Sequence, residues 1–329
     1  MARRRDVMVG VDMGGTSLRA LVVNGENKIL AVAKTPTRRE EKPGELITDI
    51  AAMVVDAVEA AGLKRTDLRA VSIGAPGAVD PVRGIVHHAP NLGWEEVPLG
   101  RKLKELLGVP VLVENDVNVG VVGEHVLGAG KGAKDLVGIF VGTGIGGGII
   151  IGGQLYEGGR AGAGEVGHVI VQVDGPRCGC GKRGCIEALA SRTAMEREVR
   201  AAVRAGAKSI IPKIMQKRRK QRMTSSVIVA ALEKRDPLMR KVMKRAQHFL
   251  GIFVGSIVNV LDPEVVVIGG GIAERLQEDY VRPIRETAYK YFLHHRDAAR
   301  VKIVPGILGD NAGALGAVVL ARQRLRLTR

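Results

Sequence analysis

Three cysteines, the only ones in the chain, fall at Cys178, Cys180 and Cys185 in the stretch RCGCGKRGCIE, and His168 stands ten residues before the first of them. Three thiolates and one imidazole make the Cys₃His donor set that suits tetrahedral Zn²⁺. An odd cysteine count in a chain read as cytoplasmic argues against a disulfide framework. With four protein ligands such a site is closed, so it would order a loop poor in apolar residues and would not activate water. Free thiols or a redox C-x-C are the other readings these residues allow.

Glu165 lies three residues before His168 and Glu187 two after Cys185, so a bound metal would hold both carboxylates in place. A metal-bound histidine keeps its other ring nitrogen for a ligand hydroxyl. Two carboxylates and an imidazole N–H suit a polyhydroxylated molecule, and Asn91 in APNLGW adds an amide that both donates and accepts. Asp116 ends the polar run Glu114-Asn115-Asp116 after an apolar strand. It is the candidate general base for a hydroxyl attacking phosphorus. It would serve equally as the N-cap of a helix starting near Val117. Asp12, beside Gly14, Gly15 and Thr16 in DMGGT, can hold a hydrated Mg²⁺ that also binds phosphate oxygens, or can simply cap a turn.

Periodicity predicts the elements that carry these groups. VMVGVDMGGTSLRALVVN reads as strand, glycine turn, strand. Leu46, Ile50, Met53, Val54, Ala57, Val58 and Ala61 form one helical stripe that ends at Gly62. Buried strands are predicted over 70–80, where the strand runs into a Gly/Pro loop, and over 109–116. A second block, 136–156, repeats strand, turn, strand, with Gly152-Gly153 closing the next hairpin. A long helix is predicted around 238–261 from Leu238, Val242, Ala246, Phe249, Phe253, Ile257 and Leu261, stopped by Asp262-Pro263. The strand VVVIGGG (265–271), a helix, the strand VKIVP and a C-terminal helix from about 311 complete an α/β pattern. Two blocks that each open on a glycine-turned hairpin indicate an internal duplication of architecture.

The run VGTGIGGGIII matches G-x-G-x-x-G through Gly142, Gly144 and Gly147. A dinucleotide fingerprint needs that turn to open a helix, whose N-terminus receives the pyrophosphate. Here three isoleucines and another glycine turn follow, which is strand material. Two glycine hairpins would instead offer backbone N–H groups to a phosphate chain, with glycine needed for close approach.

The 329 residues are enough for two domains, and 46% hydrophobic with 26% charged residues is a globular composition. No apolar run reaches the ~18 residues of a membrane span. The net charge of +16 concentrates in KIMQKRRKQR (213–222) and the tail ARQRLRLTR (321–329). Neither stretch carries an aromatic for base stacking, so neither specific nucleic acid nor membrane is an expected partner.

Together these motifs resemble the ROK family of sugar kinases and repressors, most closely its bacterial-type glucokinases. The resemblance runs through VGVDMGGT, APGAVD, NLGW, END, GTGIGGG, E-V-G-H, CGCGKRGC-I-E and DPEVVVIGGG. It implies a two-domain actin/hexokinase-like fold, a duplicated ribonuclease H-like α/β architecture with a cleft between domains. The small domain would be 1–116, with the C-terminal helix (about 311–329) packed back on it, and the large domain 117–310 would carry the zinc loop. It implies ATP, Mg²⁺ and structural Zn²⁺ as cofactors, glucose and nucleotide as small-molecule partners, and a homo-oligomer, dimer or tetramer. Asp116 is implied as the catalytic base. Asp12, Gly14, Gly15, Thr16, Thr143 and Gly144 are implied in handling phosphates and Mg²⁺, with Gly270 and Gly271 at the nucleotide. Asn91, Asn115, Glu165, His168 and Glu187 align with sugar contacts, and Gly77 with the backbone wall of that pocket. His168, Cys178, Cys180 and Cys185 match the metal ligands.

The departures are VNVGVVGEH after Asp116, where Val117 and Val119 replace smaller residues and would reshape the pocket floor, and the basic stretch 213–222. A basic rim would also suit polyphosphate as donor. The alternative substrates are N-acetylmannosamine, N-acetylglucosamine and mannose. A sugar-responsive repressor would need a DNA-binding segment ahead of the first hairpin, for which Asp12 leaves no room.

Overall fold

Val7–Met13 (β1) and Ser17–Val23 (β2), almost wholly apolar, pair antiparallel around the first glycine turn in a computed structural model that describes residues 7–14, 17–37 and 42–325. Ile29–Pro36 (β3) extends the hairpin, and its alternating half-buried and exposed residues mark the sheet edge. Pro43–Ala60 (α1) buries the predicted stripe, and Gly62 takes the left-handed conformation (φ +69) just beyond its end. Leu68–Ala75 (β4) runs parallel to β1. Ala78–Asp80 (β5), at the end of the stretch read as a Gly/Pro loop, pairs with Ile85–Ala89 (β6), which with Trp94–Val97 (β7) makes a separate three-stranded sheet. Leu99–Leu107 (α2) leads to Val111–Asn115 (β8), parallel to β4, and to Asp116–Leu127 (α3).

The second glycine hairpin is Leu136–Val141 (β9) and Ile145–Ile151 (β10), followed by the short Gln154–Leu155 (β11). Helices Ile186–Ala190 (α4), Arg192–Arg204 (α5), Ile211–Lys217 (α6) and Ser225–Glu233 (α7) precede the long Pro237–Leu261 (α8). The buried face of α8 centres on Met243, Leu250, Phe253 and Val254; Leu238, Phe249, Ile257 and Leu261 of the predicted stripe lie on its flanks. Val265–Gly269 (β12), Gly271–Leu276 (α9), Glu278–Ala288 (α10), Lys302–Pro305 (β13) and Ala312–Arg324 (α11) complete the chain.

The two five-stranded sheets have matching order, β3-β2-β1-β4-β8 and β11-β10-β9-β12-β13. In each, an antiparallel hairpin is followed by parallel strands, which is the duplication the two hairpins foreshadowed. The contacts divide the chain into a unit of 1–131, 155–163 and 310–329 and a unit of 132–154 and 164–309. The sequence reading divided the chain at 116; in the contact-defined units α3 stays with the first because it packs along α11. A Cβ on Gly316 would lie 1.7 Å from the Val119 carbonyl oxygen, and one on Gly123 2.4 Å from that of Ala312, so glycine alone permits this crossing. Among the described residues no helix is long and apolar enough to cross a membrane.

Candidate active site

In the first unit the chemistry gathers at the carboxyl ends of β1 and β8. The cap of α3 is Asn115, whose side-chain oxygen accepts from Val117 N (2.9 Å) and Asn118 N (3.1 Å). Asp116 is therefore the first helical residue and not the cap, although its own carboxylate also accepts from Val117 N at 2.9 Å. The Asn115 amide nitrogen donates to Gly77 O at 3.1 Å, which ties the β8–α3 junction to the β4–β5 turn. Gly77 has φ +90, and a Cβ there would lie 2.1 Å from His88 O. Asn91 sits exposed in the turn between β6 and β7. Val119 is fully buried, with its side chain against Gly74 of β4.

Asp12, near the end of β1, pairs in register with Arg19 of β2. Burial, first, and the charge of Asp310, second, raise its carboxyl from 3.8 to about 6, with Arg19 pulling the other way. Gly313 of α11 leaves the room its carboxylate needs, since a Cβ there would approach within 2.8 Å. Arg19 in turn holds Asn311 (2.8 Å) and Asp310 (3.3 Å). Gly14 lies in the β1–β2 turn, its carbonyl accepting from the Thr37 hydroxyl at 2.7 Å. Gly15 and Thr16 lie outside the described residues.

In the second unit the four predicted metal donors converge, with all ligand atoms within 4.8 Å of one another. Cys180 and Cys185 sulfurs are 3.7 Å apart, and Cys178 Sγ is 3.7 Å from His168 Nδ1. Zn–S and Zn–N bonds of ordinary length at a tetrahedral angle would set these separations at about 3.8 and about 3.6 Å. A disulfide needs sulfurs about 2.05 Å apart. His168 turns Nδ1 to the thiols and Nε2 toward Glu165, 3.9 Å away and well exposed. Glu187 has a second duty: Oε2 accepts from Ile145 N at 3.0 Å and Oε1 lies 3.6 Å from Cys178 Sγ. Its carboxylate occupies the space where a Gly144 Cβ would be, 2.3 Å from Oε2. Thr143 accepts a hydrogen bond from Arg192. Gly270 (φ +95) and Gly271 form the β12–α9 turn, with Gly270 against the Val141 carbonyl.

Sequence reasoning missed Arg19, Asp310 and Arg192, and also Arg324, which donates to Glu114 Oε2 (2.9 Å) and Glu157 Oε1 (2.8 Å). Glu114 is buried one residue from Asn115, whose N–H its other oxygen accepts at 2.9 Å. The only signal for Asp310 was the small-residue run NAGALGA that follows it. Arg322 grips the β2–β3 turn through Asn24 O and Gly25 O, so the described part of the basic tail serves the fold.

Two matching α/β units, a carboxylate at the head of a helix and glycine hairpins at strand ends define the hexokinase-like class of phosphotransferase folds. Within that class the chain belongs to the ROK family, whose model matches residues 8–324. It is 32% identical to the glucokinase of Halalkalibacterium halodurans, over 96% of this chain and 95% of that one. Against the glucokinase of Thermotoga maritima the identity is 34%, over 97% and 98%. The structure of a ROK family glucokinase from Streptomyces griseus, in complex with glucose and AMPPNP, superimposes with a TM-score of 0.83 at 34% identity, covering 96% of this chain and 99% of that one.

Proposed function

We propose that this protein is a glucokinase that transfers the γ-phosphoryl group of ATP to the 6-hydroxyl of glucose, with Asp116 as general base. The observation that carries this reading is end-to-end similarity, through both units, to proteins named glucokinases. The local geometry supports it. Asn115 performs the capping of α3 that would otherwise explain Asp116. A carboxylate in that position accepts the hydroxyl proton as the oxygen attacks phosphorus; the P–O bond to ADP breaks and the charge passes to the leaving phosphate.

His168 Nε2 and Glu165 are the side chains we assign to the sugar in the second unit, with Asn91, Asn115 and the Gly77 backbone in the first. Glu187 is assigned to the sugar too, fixed by Ile145 N. Asp12 is assigned to Mg²⁺: a divalent cation offsets both the burial and the Asp310 charge that raise its carboxyl. Gly14, Gly15, Thr16, Thr143 and Gly144 are assigned to the phosphates, and Gly270 and Gly271 to the nucleotide. The Cys₃His cluster is assigned to structural Zn²⁺, on donor spacings that match tetrahedral coordination. The metal would orient His168 through Nδ1 and supply no activated water.

The test is Asp116→Asn, read in a coupled assay with glucose and MgATP. Turnover should fall on the order of 10² to 10⁴-fold with glucose binding retained. Turnover at the wild-type rate would remove Asp116 from the chemistry. A panel of glucose, mannose and the N-acetylated sugars in the same assay tests the acceptor, and a preference for an N-acetylated sugar would replace glucose.

A further inference from the structure

The basic stretch 213–222 sits inside a longer one. Between Lys208 and Lys241 the lysines and arginines outnumber the acids eleven to two, the acids being Glu233 and Asp236. Asp236 is buried and committed, accepting from Ile210 N (2.8 Å) and Met239 N (2.8 Å), so only Glu233 is exposed. α6 lies along α7: Arg218 donates to Ser226 O (2.8 Å) at one end, and the Ile210–Asp236 bond closes the other.

The arginine face of α5 spends its charge inside the protein. Arg197 donates to Ala188 O (2.6 Å) and Arg200 to Glu196 (2.7 Å), and Arg222 reaches Glu196 as well (3.2 Å). Along α6 and α7 the balance is reversed. Lys213, Lys217, Arg219, Lys220, Lys234 and Arg235 are exposed, and among the described residues none of their side chains has a hydrogen-bond or ion-pair partner. Lys213 and Lys217 stand one turn apart on α6, where like charges repel.

Two of these cations are kept at a conformational cost. α6 and α7 each run into a residue of left-handed backbone, and in both it is an arginine, Arg219 (φ +50) and Arg235 (φ +55). After α1, α2 and α5 the same conformation falls to Gly62, Gly108 and Gly206, and glycine adopts it freely. The two helix ends need no further cation, because Lys217 and Lys234 already stand there. Charges held against both repulsion and backbone preference point to an anion from outside the chain.

The make-up of the surface selects among anions. The sequence has no Phe, Tyr or Trp between Tyr156 and Phe249, so the bases of a single strand have nothing to stack on. No large hydrophobic residue is exposed between Val173 and Val260. A membrane would therefore lack an apolar anchor, and a protein partner would lack the apolar centre of a stable interface. The backbone of a duplex needs charge alone, because its binding is driven by release of counterions.

We propose that the α6–α7 surface docks double-stranded DNA through its phosphate backbone, without regard to base sequence. The inference goes beyond the kinase reading and needs no turnover to be tested.

The experiment is fluorescence anisotropy of two short labelled DNA duplexes of unrelated sequence, titrated with the full-length protein from low to physiological salt. The proteins are the wild type, Lys213→Gln/Lys217→Gln/Arg219→Gly, and a control of equal net charge, Lys28→Gln/Lys34→Gln/Lys104→Gln. The three control lysines are exposed and lie in the first unit. The wild type should bind both duplexes alike, with Kd of about 10⁻⁴ to 10⁻⁶ M at physiological salt. The α6 variant should lose at least about tenfold, and its plot of log affinity against log salt should be shallower by about 0.9 for each phosphate contact removed. The control should stay within about twofold of the wild type at physiological salt, where charges beyond a Debye length are screened. The α6 variant should also melt no lower than the wild type, since glycine at 219 relieves the left-handed arginine; lost binding is then not lost folding. Equal affinities of the α6 variant and the control would overturn the site by reducing it to net charge. Vesicles of phosphatidylserine and phosphatidylcholine that bind the wild type as tightly as the duplexes do would overturn the choice of partner.

Discussion

A buried acid held without enough counter-charge costs stability, and Asp12 is such an acid. Its carboxyl is raised to about 6 by burial and by Asp310. The folded protein therefore holds that proton more tightly than the unfolded chain does. The stability this lends is fully present below 3.8 and lost as pH rises through about 6. Asp12→Asn in metal-free protein should accordingly raise the melting temperature at mildly alkaline pH, by a gain of about 3 kcal/mol at most. The gain should shrink as the solution is acidified through that range. Thermal melts at a series of pH values check this, and a variant less stable than wild type in alkali would refute it. The same substitution should abolish Mg²⁺-dependent turnover, so stability and activity move in opposite directions at this residue.

α11 works as a strap for the first unit. Its first turn leaves room for Asp12, its middle crosses α3 through Gly316 and Gly123, and its last turn sends Arg324 to Glu114 and Glu157. Arg324→Gln would leave Glu114, 4% exposed at its side chain, as an uncompensated buried charge. Breaking such a pair costs about 3 kcal/mol, measurable by urea denaturation. Adding Glu114→Gln should restore part of it, because both halves of the pair are then neutral. Glucose phosphorylation should suffer more in Arg324→Gln than in the double variant, since Glu114 accepts the Asn115 N–H beside the proposed base. Gly316→Ala tests the crossing itself: a methyl 1.7 Å from the Val119 carbonyl must push α3 and α11 apart. The expected loss is about 3 kcal/mol.

For the protein as a whole, the proposed zinc at the Cys₃His cluster would staple a segment with few apolar residues. Around it, Val169, Ile170 and Val173 stay exposed, so burial alone does little to order the loop between β11 and α4. Metal analysis of the purified protein should find about one zinc per chain. Removal by a chelator should lower the melting temperature and free three titratable thiols, with loss of glucose phosphorylation as His168 loses its orientation. Metal-free protein of full stability and activity would defeat the assignment.

Local patterns in the sequence carried a great deal of this. The two glycine hairpins, the α1 stripe, the end of α8 at Asp262 and the four metal donors depend on neighbours within a few residues, where period and spacing are decisive. Reading VGTGIGGGIII as hairpin and not as a dinucleotide turn rested on the strand that follows, and β10 is that strand. Other features had no local trace. Whether Asn115 or Asp116 caps α3 depends on which side chain reaches the free N–H groups, and both residues are good caps. Arg324 and Glu114 are 210 positions apart, and Arg19 and Asp310 291, so only the packing of α11 against the first sheet could bring them together. The arginine face of α5 was hidden for another reason. Its charges are diluted along the sequence by intervening residues, whereas those at 213–222 stand nearly side by side. The residue types were determined by the chain alone, and their company by the tertiary fold, because charge and hydrogen bonding act through space and periodicity acts along the chain.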